Sequence, residues 1–571
     1  MIGTMRPWAT LALAALAVSG CTAGMGGEDT PSTTRDTTGR DTSALEGERD
    51  LTPYLTQDFS WGECDTEWFM DTESQSGAFT QSVIECAEVL VPATYIGTND
   101  IPDFSIALMR AMRTPSSTGL DPAIFINPGG PGGSGIEQLQ WSDFPEQIHQ
   151  EFAFIGFDPR GVGFSDFSDG SEIECSDELD YLSYFGEASP ANEAEIDAGV
   201  ATSDEYYEDC AAANPYWWTL STDNVAKDLN IIRHLVTPDQ PLNFIGSSYG
   251  TTIAGRYVSN YPEWVGKIVF DSPTTVDDDR IESALINFEA NEVKLRGFVE
   301  GYAAYSEISF EEAWDRVLEV RQMADDQLLG GYAGFRVNPA GAEGLESSEA
   351  LFLRGIIMLN YYPADVAQDI FNQGMEGAYL FGWNGTFEWL AFSLDGYDPD
   401  SLEGATLSAK NIIRSNEFEV RVIVNSMDYS ADPLTEAQQR ELSARAQKIA
   451  PLLSQLYSDS NGYEYFGPPK GLDWKTLATR DDRIPNPPTT PFVPSNPSGK
   501  PLLIVGSLNE SVTPYAFAKD TAALLGATLV SVAGETHAPA AGYDNDCIND
   551  VLIQFFLSDE PLTDVSCGSK D

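Results

Sequence analysis

The stretch Leu242-Asn-Phe-Ile245-Gly246-Ser247-Ser248-Tyr249-Gly250-Thr251 decides the fold. Leu242-Asn-Phe-Ile245 is a short apolar run of strand type, bounded by glycine. From Thr251 the pattern turns helical and stops before Tyr261-Pro262, because the residue preceding a proline is pushed out of the α region. Gly-x-Ser-x-Gly lies between the two, so a strand enters a tight turn and a helix leaves it. The bend is crowded, and the flanking residues must lack side chains. Ser248 then projects from the turn, close to a helix N-terminus whose partial positive charge favours a developing anion. Ser247 lies outside the glycine frame.

Upstream, the apolar run Ala123-Ile-Phe-Ile126 leads into Asn127-Pro-Gly-Gly-Pro-Gly-Gly-Ser-Gly135. Such a run forms no regular structure, but it can expose backbone N–H groups to an oxyanion. The Tyr249 and Gly130 N–H groups are the expected pair. No Gly-Lys-Ser/Thr closes the run, so it is not a phosphate loop.

Downstream, a base and an acid are needed. The chain has 3 histidines. His149 lies between the glycine run and a strand, and His234 sits within the helical pattern Asp223–Val236. Only His537, just past the run Thr528-Leu-Val-Ser-Val532, follows the serine with room for an acid between, in the order Ser, acid, His. The loop after Leu502-Leu-Ile-Val505 holds one carboxylate, Glu510, which is the preferred acid. Asp271, after Lys267-Ile-Val-Phe270, is the alternative.

Short β-rich runs alternating with helical patterns imply a mostly parallel central sheet with helices on both faces. The order expected is an N-terminal core part at 51–275, an inserted, mainly helical cap at 276–495 and a C-terminal core part at 496–571. Pro485-Asn-Pro-Pro-Thr-Thr-Pro491, near the end of the cap, reads as a stiff linker.

At the N-terminus a short basic region precedes the apolar run Trp8-Ala-Thr-Leu-Ala-Leu-Ala-Ala-Leu-Ala-Val18, then Ser19-Gly20-Cys21. This resembles a bacterial lipoprotein signal over 1–20, with Cys21 the lipidated first residue of an exported, membrane-anchored protein. Residues 21–50 carry almost no large apolar side chains and read as a flexible tether. Removing Cys21 from the 7 cysteines leaves an even set, which in an exported chain points to disulfides. The sequence-adjacent choice among several is Cys64–Cys86, Cys175–Cys210 and Cys547–Cys567. No Cys-x-x-Cys is present, and neither a metal nor a cofactor is expected. The chain has 31 Lys+Arg against 89 Asp+Glu, a formal charge of −58. Such a surface repels nucleic acid and anionic membranes, so the lipid would be the only membrane contact.

Together these pieces resemble the secreted tripeptidyl aminopeptidases and their relatives among the α/β-hydrolases, a branch near the prolyl aminopeptidases. The resemblance rests on the Cys64/Cys86 region with Val91-Pro92, on Asn127 to Gly135 and on Asp158-Pro-Arg-Gly-Val-Gly-Phe-Ser165. It continues through Gly246-Ser-Ser-Tyr-Gly-Thr251, Asp271-Ser-Pro273, Val512-Thr-Pro514, His537, Cys547 and Cys567. It implies an α/β-hydrolase fold with a TAP-like C-terminal part that supplies acid and histidine. It also implies hydrolysis of peptides from a free N-terminus through an acyl-enzyme. One position departs from the family pattern: Glu510 stands where an aspartate is usual. A carboxylesterase on the same triad, and a lipid-anchored binding protein that has lost catalysis, are the alternatives.

Overall fold

The computed structural model describes residues 49–70, 75–97, 101–113, 122–173, 210–276, 280–325, 348–362, 364–381, 387, 417–428, 436–456, 492–541 and 545–568. The signal, the lipidation site Cys21, most of the tether and the proline linker at 485–491 lie outside them.

Among the described residues nine strands form one sheet: β1 (Val83–Val91), β2 (Phe104–Met112), β3 (Ala123–Asn127), β4 (Ala153–Phe157), β5 (Leu242–Ser247), β6 (Val265–Asp271), β7 (Leu502–Ser507), β8 (Thr528–Val532) and β9 (Val565–Cys567). The order across it is β1-β2-β4-β3-β5-β6-β7-β8-β9. The pairings β1–β2 and β2–β4 are antiparallel and every other pairing is parallel. Every residue of β3, β4 and β7 is buried, as expected for strands covered on both faces.

The covering helices are α1 (Gly135–Trp141), α2 (Thr222–Val236) and α3 (Gly250–Asn260). Two apolar layers result. One joins Phe125, Phe157, Phe244 and Phe270 of the sheet to Leu229 and Ile232 of α2 and Ile253 and Tyr257 of α3. The other joins Ile124, Ile126, Ile245, Val269 and Val505 to Ile136 and Leu139 of α1, and to Leu552 and Phe556 near the C-terminus.

Between β6 and β7 the chain leaves the sheet. It forms α4 (Arg280–Tyr305), α5 (Phe310–Asp325), α6 (Ser348–Met358), α7 (Ala364–Phe381), α8 (Glu417–Asp428), α9 (Glu436–Ile449) and α10 (Pro451–Leu456). Most of these share an apolar cluster of their own, with Val299, Tyr302, Val317, Phe352, Phe371 and Leu442 at its centre. Helix α8 is different: Val420, Ile423, Val424 and Met427 pack into the layer over α2 and α3. The inserted segment therefore touches the sheet layers as well as its own core. Back in the sheet, α11 (Tyr515–Leu525) follows β7, and α12 (Asp546–Leu557) precedes β9.

Cys64–Cys86 fastens the N-terminal segment to β1, and Cys547–Cys567 ties α12 to β9. Cys210 is buried and disulfide-bonded. Its expected partner, Cys175, lies outside the described residues.

A buried ion pair joins the loop after β4 to α2. Arg160 and Asp228 are bidentate at 2.8 and 2.6 Å. The remaining guanidinium hydrogens go to the carbonyls of Pro92, Ala93 and Thr219. Tyr95 Oη donates to the same aspartate at 2.6 Å. With every donor satisfied, the pair can remain buried. Among the described residues no helix is long and apolar enough to cross a membrane.

Candidate active site

Ser248 lies between the last residue of β5 and the first of α3, with φ of 53°. A non-glycine residue adopts this left-handed conformation only when its surroundings enforce it. The glycine frame supplies part of the reason. A Cβ on Gly246 would lie 2.3 Å from the Gly250 carbonyl oxygen, so no larger residue fits the bend. Ser248 is fully buried, and its Oγ has no hydrogen-bond partner.

The glycine run after β3 lies against this bend. Gly129 has φ of +104°, and a Cβ there would sit 2.8 Å from the Tyr249 nitrogen and 3.0 Å from Ser248 Cβ. Its own N–H is committed to Asn127 Oδ1 at 3.1 Å. The next N–H in the run belongs to Gly130, which shares the φ of +104°.

His537 and Glu510 come from the loops after β8 and β7. Both are buried, and His537 Nδ1 is hydrogen-bonded to Glu510 Oε1. That pairing sets the imidazole tautomer with its proton on Nδ1, which leaves the Nε2 lone pair to accept. Nε2 is buried and has no partner, and it is not hydrogen-bonded to Ser248 Oγ. Catalytic hydrogen bonds are often loose before substrate binds.

Glu510 is held from several sides. Thr513 donates to Oε1 from its backbone N–H at 3.1 Å and its hydroxyl at 2.6 Å. Ser272 Oγ donates to Oε2 at 2.8 Å. The Val512-Thr-Pro514 triplet thus acts through its threonine, which folds back on the carboxylate three residues earlier.

Asp271 does not reach His537. Its Oδ2 accepts from the Ala540 N–H at 2.9 Å and from Ser247 Oγ at 3.4 Å. Burial, reinforced by the nearby Glu510 charge, pushes its pKa well above the usual carboxylate range.

Asp271-Ser272, at the end of β6, joins the three loops. The Ser248 N–H donates to the Asp271 carbonyl at 2.8 Å. Ser272 Oγ bridges Glu510 and the Ala538 N–H, the latter at 2.9 Å. The Ser272 N–H donates to the Val505 carbonyl at 2.8 Å. Ser272 and Ala538 share Ser248's unusual backbone, each with φ of 52°. Three strained residues gathered at one place are a mark of a functional site. In the sequence Asp271 stands as a rival acid, and Ser272 appears only within the Asp271-Ser-Pro273 motif, with no role of its own.

From the inserted segment, Tyr361 places its ring edge-on to His537, with centroids 5.7 Å apart and planes at 83°. The other two histidines lie elsewhere. His149 is buried against the Phe154 ring, and burial lowers its pKa to about 4, so it stays neutral at neutral pH. His234 lies in the last turn of α2.

Asp158, from the Asp158–Ser165 motif, supports the glycine run from behind. It accepts from Ser134 Oγ at 2.6 Å, from the Ile136 N–H at 3.2 Å and from the Phe164 N–H at 3.1 Å. Burial outweighs these bonds and raises its pKa to about 6. Among the described residues no His, Cys, Asp and Glu cluster is arranged to hold a metal ion.

Residues 122–304 match the family model described as alpha/beta hydrolase fold, and residues 474–567 match that of the TAP-like proteins. The chain is 26% identical over 574 aligned positions to the serine protease Hip1 of Mycobacterium tuberculosis, covering 96% of this chain and 95% of that protein. It is 28% identical over 297 positions to the tripeptidyl aminopeptidase of Streptomyces lividans, covering 48% of this chain and 50% of that protein. Carboxylesterase B of Mycobacterium tuberculosis is 24% identical over 537 positions, covering 90% of this chain and 91% of that protein. The chain is a hydrolase of the α/β-hydrolase fold, and its C-terminal segment is similar to the TAP-like proteins.

Proposed function

We propose that the protein is a serine peptidase that cleaves peptides from a free N-terminus, with Ser248 as nucleophile, His537 as base and Glu510 as the acid that orients it. The observation that carries this reading is the fastening of a buried, strained Ser248 to the buried Glu510–His537 pair through Asp271-Ser272.

In the first step Ser248 Oγ attacks the scissile carbonyl carbon, and His537 Nε2 takes the hydroxyl proton. Glu510 stabilises the imidazolium through Nδ1–H. The carbonyl oxygen becomes an oxyanion that accepts from the Tyr249 and Gly130 N–H groups, at the positive end of α3. Collapse expels the amine, which takes its proton from His537 and leaves an acyl group on Ser248. Water, deprotonated by the same imidazole, then attacks the acyl carbon. The tetrahedral intermediate collapses, the acid product leaves and Ser248 regains its proton. Tyr361 covers the base and limits water at the reacting centre.

The likeness to the serine protease Hip1 and to the tripeptidyl aminopeptidase supports a peptide substrate, and the name of the second supports a free N-terminus. Chromogenic aminoacyl and tripeptidyl amides, each with a free or an acetylated N-terminus, test it. Turnover of the free forms and rejection of the acetylated ones is expected. Brisk ester hydrolysis with no amide cleavage would instead favour the carboxylesterase reading, which the likeness to Carboxylesterase B supports.

The protein is further proposed to be exported and anchored through a lipid on Cys21. Metabolic labelling with a fatty-acid analogue should mark the wild type and not Cys21→Ser. Equal labelling of both would contradict the anchor.

A further inference from the structure

The acid and the base stand on two separate loops, and one helix of the inserted segment touches both. Helix α4 begins at Arg280, a few residues beyond Asp271-Ser272. Asn291 and Lys294 lie three positions apart and so share one face of it. Asn291 Nδ2 donates to the Ser511 carbonyl at 3.2 Å, one residue past Glu510. Lys294 Nζ pairs with Glu535, two residues before His537. Val293, on the other side of the helix, is 65% exposed, whereas Asn291 and Lys294 are 5% and 8% exposed.

Both contacts are built into their surroundings. Asn360 Nδ2 donates to Asn291 Oδ1 at 3.3 Å, which fixes the amide's orientation. The Lys294 ammonium lies 5.5 Å from the centre of the Phe298 ring, one turn further along the same face. Next to Asn291, Glu292 accepts from the N–H groups of Leu452 and Leu453 at 2.9 and 3.0 Å, so α4 is tied to α10 as well. A buried lysine is costly unless it is paired. This chain has only 31 basic residues among 89 acidic ones, and it spends one of them beneath the helical segment, on the base's loop.

We propose that Asn291 and Lys294 are positioning residues: they fasten the acid's loop and the base's loop to one face of α4, so the triad keeps its spacing only while that helix is seated. A movement of α4 that opened the site to substrate would release both loops together.

This inference rests on Ser248, His537 and Glu510 being the reacting groups, and the test separates the two. The rate of phosphonylation by a fluorophosphonate, kcat and KM for a small chromogenic substrate, and the thermal midpoint are measured for wild type, Lys294→Met, Lys294→Arg and Glu535→Gln. Lys294→Met and Glu535→Gln should each lower kcat and the phosphonylation rate about tenfold with KM unchanged, the scale of a slightly misplaced catalytic group. Lys294→Arg, which keeps the cation, should stay within about twofold of wild type. Glu535 is half-exposed, so Glu535→Gln reads the same contact from its outer end if Lys294→Met fails to fold. Unchanged kcat in Lys294→Met or Glu535→Gln overturns the inference. So does a rise in KM at constant kcat, or an equal loss in Lys294→Arg and Lys294→Met. A wild type that takes no phosphonate at Ser248 fails the underlying reading instead.

Discussion

The strand ends and the inserted helices hold their polar groups in different ways. At the strand ends backbone groups tie the loops together: the Ser248 N–H on the Asp271 carbonyl, the Ala540 N–H on the Asp271 carboxylate, the Ala538 N–H on Ser272. In the inserted segment most elements are joined by apolar packing around Tyr302, Phe352 and Phe371. That segment reaches the site through a few side chains: Asn291, Lys294 and Tyr361. The chemistry is therefore fixed by a frame that tolerates little change. What covers it reaches the site through individual side chains.

The comparison can be broken most directly at the bend. Ser248→Ala should lower kcat about 10⁶-fold, as loss of a nucleophile does, with an unchanged thermal midpoint. A loss of only a few-fold would mean that the bend is structural. Next come the two carboxylates beside it. Glu510→Gln should cost about 10⁴-fold in kcat, because it removes the partner that sets the imidazole tautomer. Asp271→Asn should cost no more than about tenfold, since an amide oxygen still accepts from Ala540. If the two effects are reversed, the acid is Asp271.

Away from the site, Arg160→Met leaves the buried Asp228 without its ion partner. It should destabilise the protein by about 3–5 kcal/mol in denaturant unfolding. Wild-type stability in the variant would show that the pair is dispensable. The smallest effect concerns Asp158. Its folded-state pKa of about 6 lies above that of an unfolded aspartate, so the folded state binds the proton more tightly. Its contribution to stability is full below about pH 4 and fades as pH rises through about 6. Asp158→Asn removes that fading. The thermal midpoint of the variant relative to wild type should therefore rise between pH 4.5 and 7, and a flat or falling difference would contradict it.

Much of the sheet was legible in the sequence because buried parallel strands are short, nearly continuous apolar runs ended by glycine or proline. Thr528–Val532 agrees in both ends, and Leu242–Ser247 and Leu502–Ser507 each run two residues past the apolar pattern. The three-residue β9 at Val565–Cys567 was not foreseen, being too short to carry a period. Ser248 and His537 could be singled out by motif and by chain order, and Glu510 as the lone carboxylate of its loop. Ser272, Asn291 and Lys294 could not. Each acts through a contact with a residue far along the chain; the motif Asp271-Ser-Pro273 does not reveal what Ser272 holds, and Asn291 and Lys294 carry no local pattern that distinguishes them from a surface asparagine or lysine. The helical content of the insertion was legible. The packing of α8 onto the sheet layer was not, because an apolar helix face does not say which core it enters.

The most direct measurement is mass spectrometry of the protein after treatment with a fluorophosphonate. A single adduct on Ser248, absent from Ser248→Ala and formed far more slowly in His537→Gln, is the expected result. An adduct on another residue, or labelling of Ser248 at the same rate without His537, would contradict the triad.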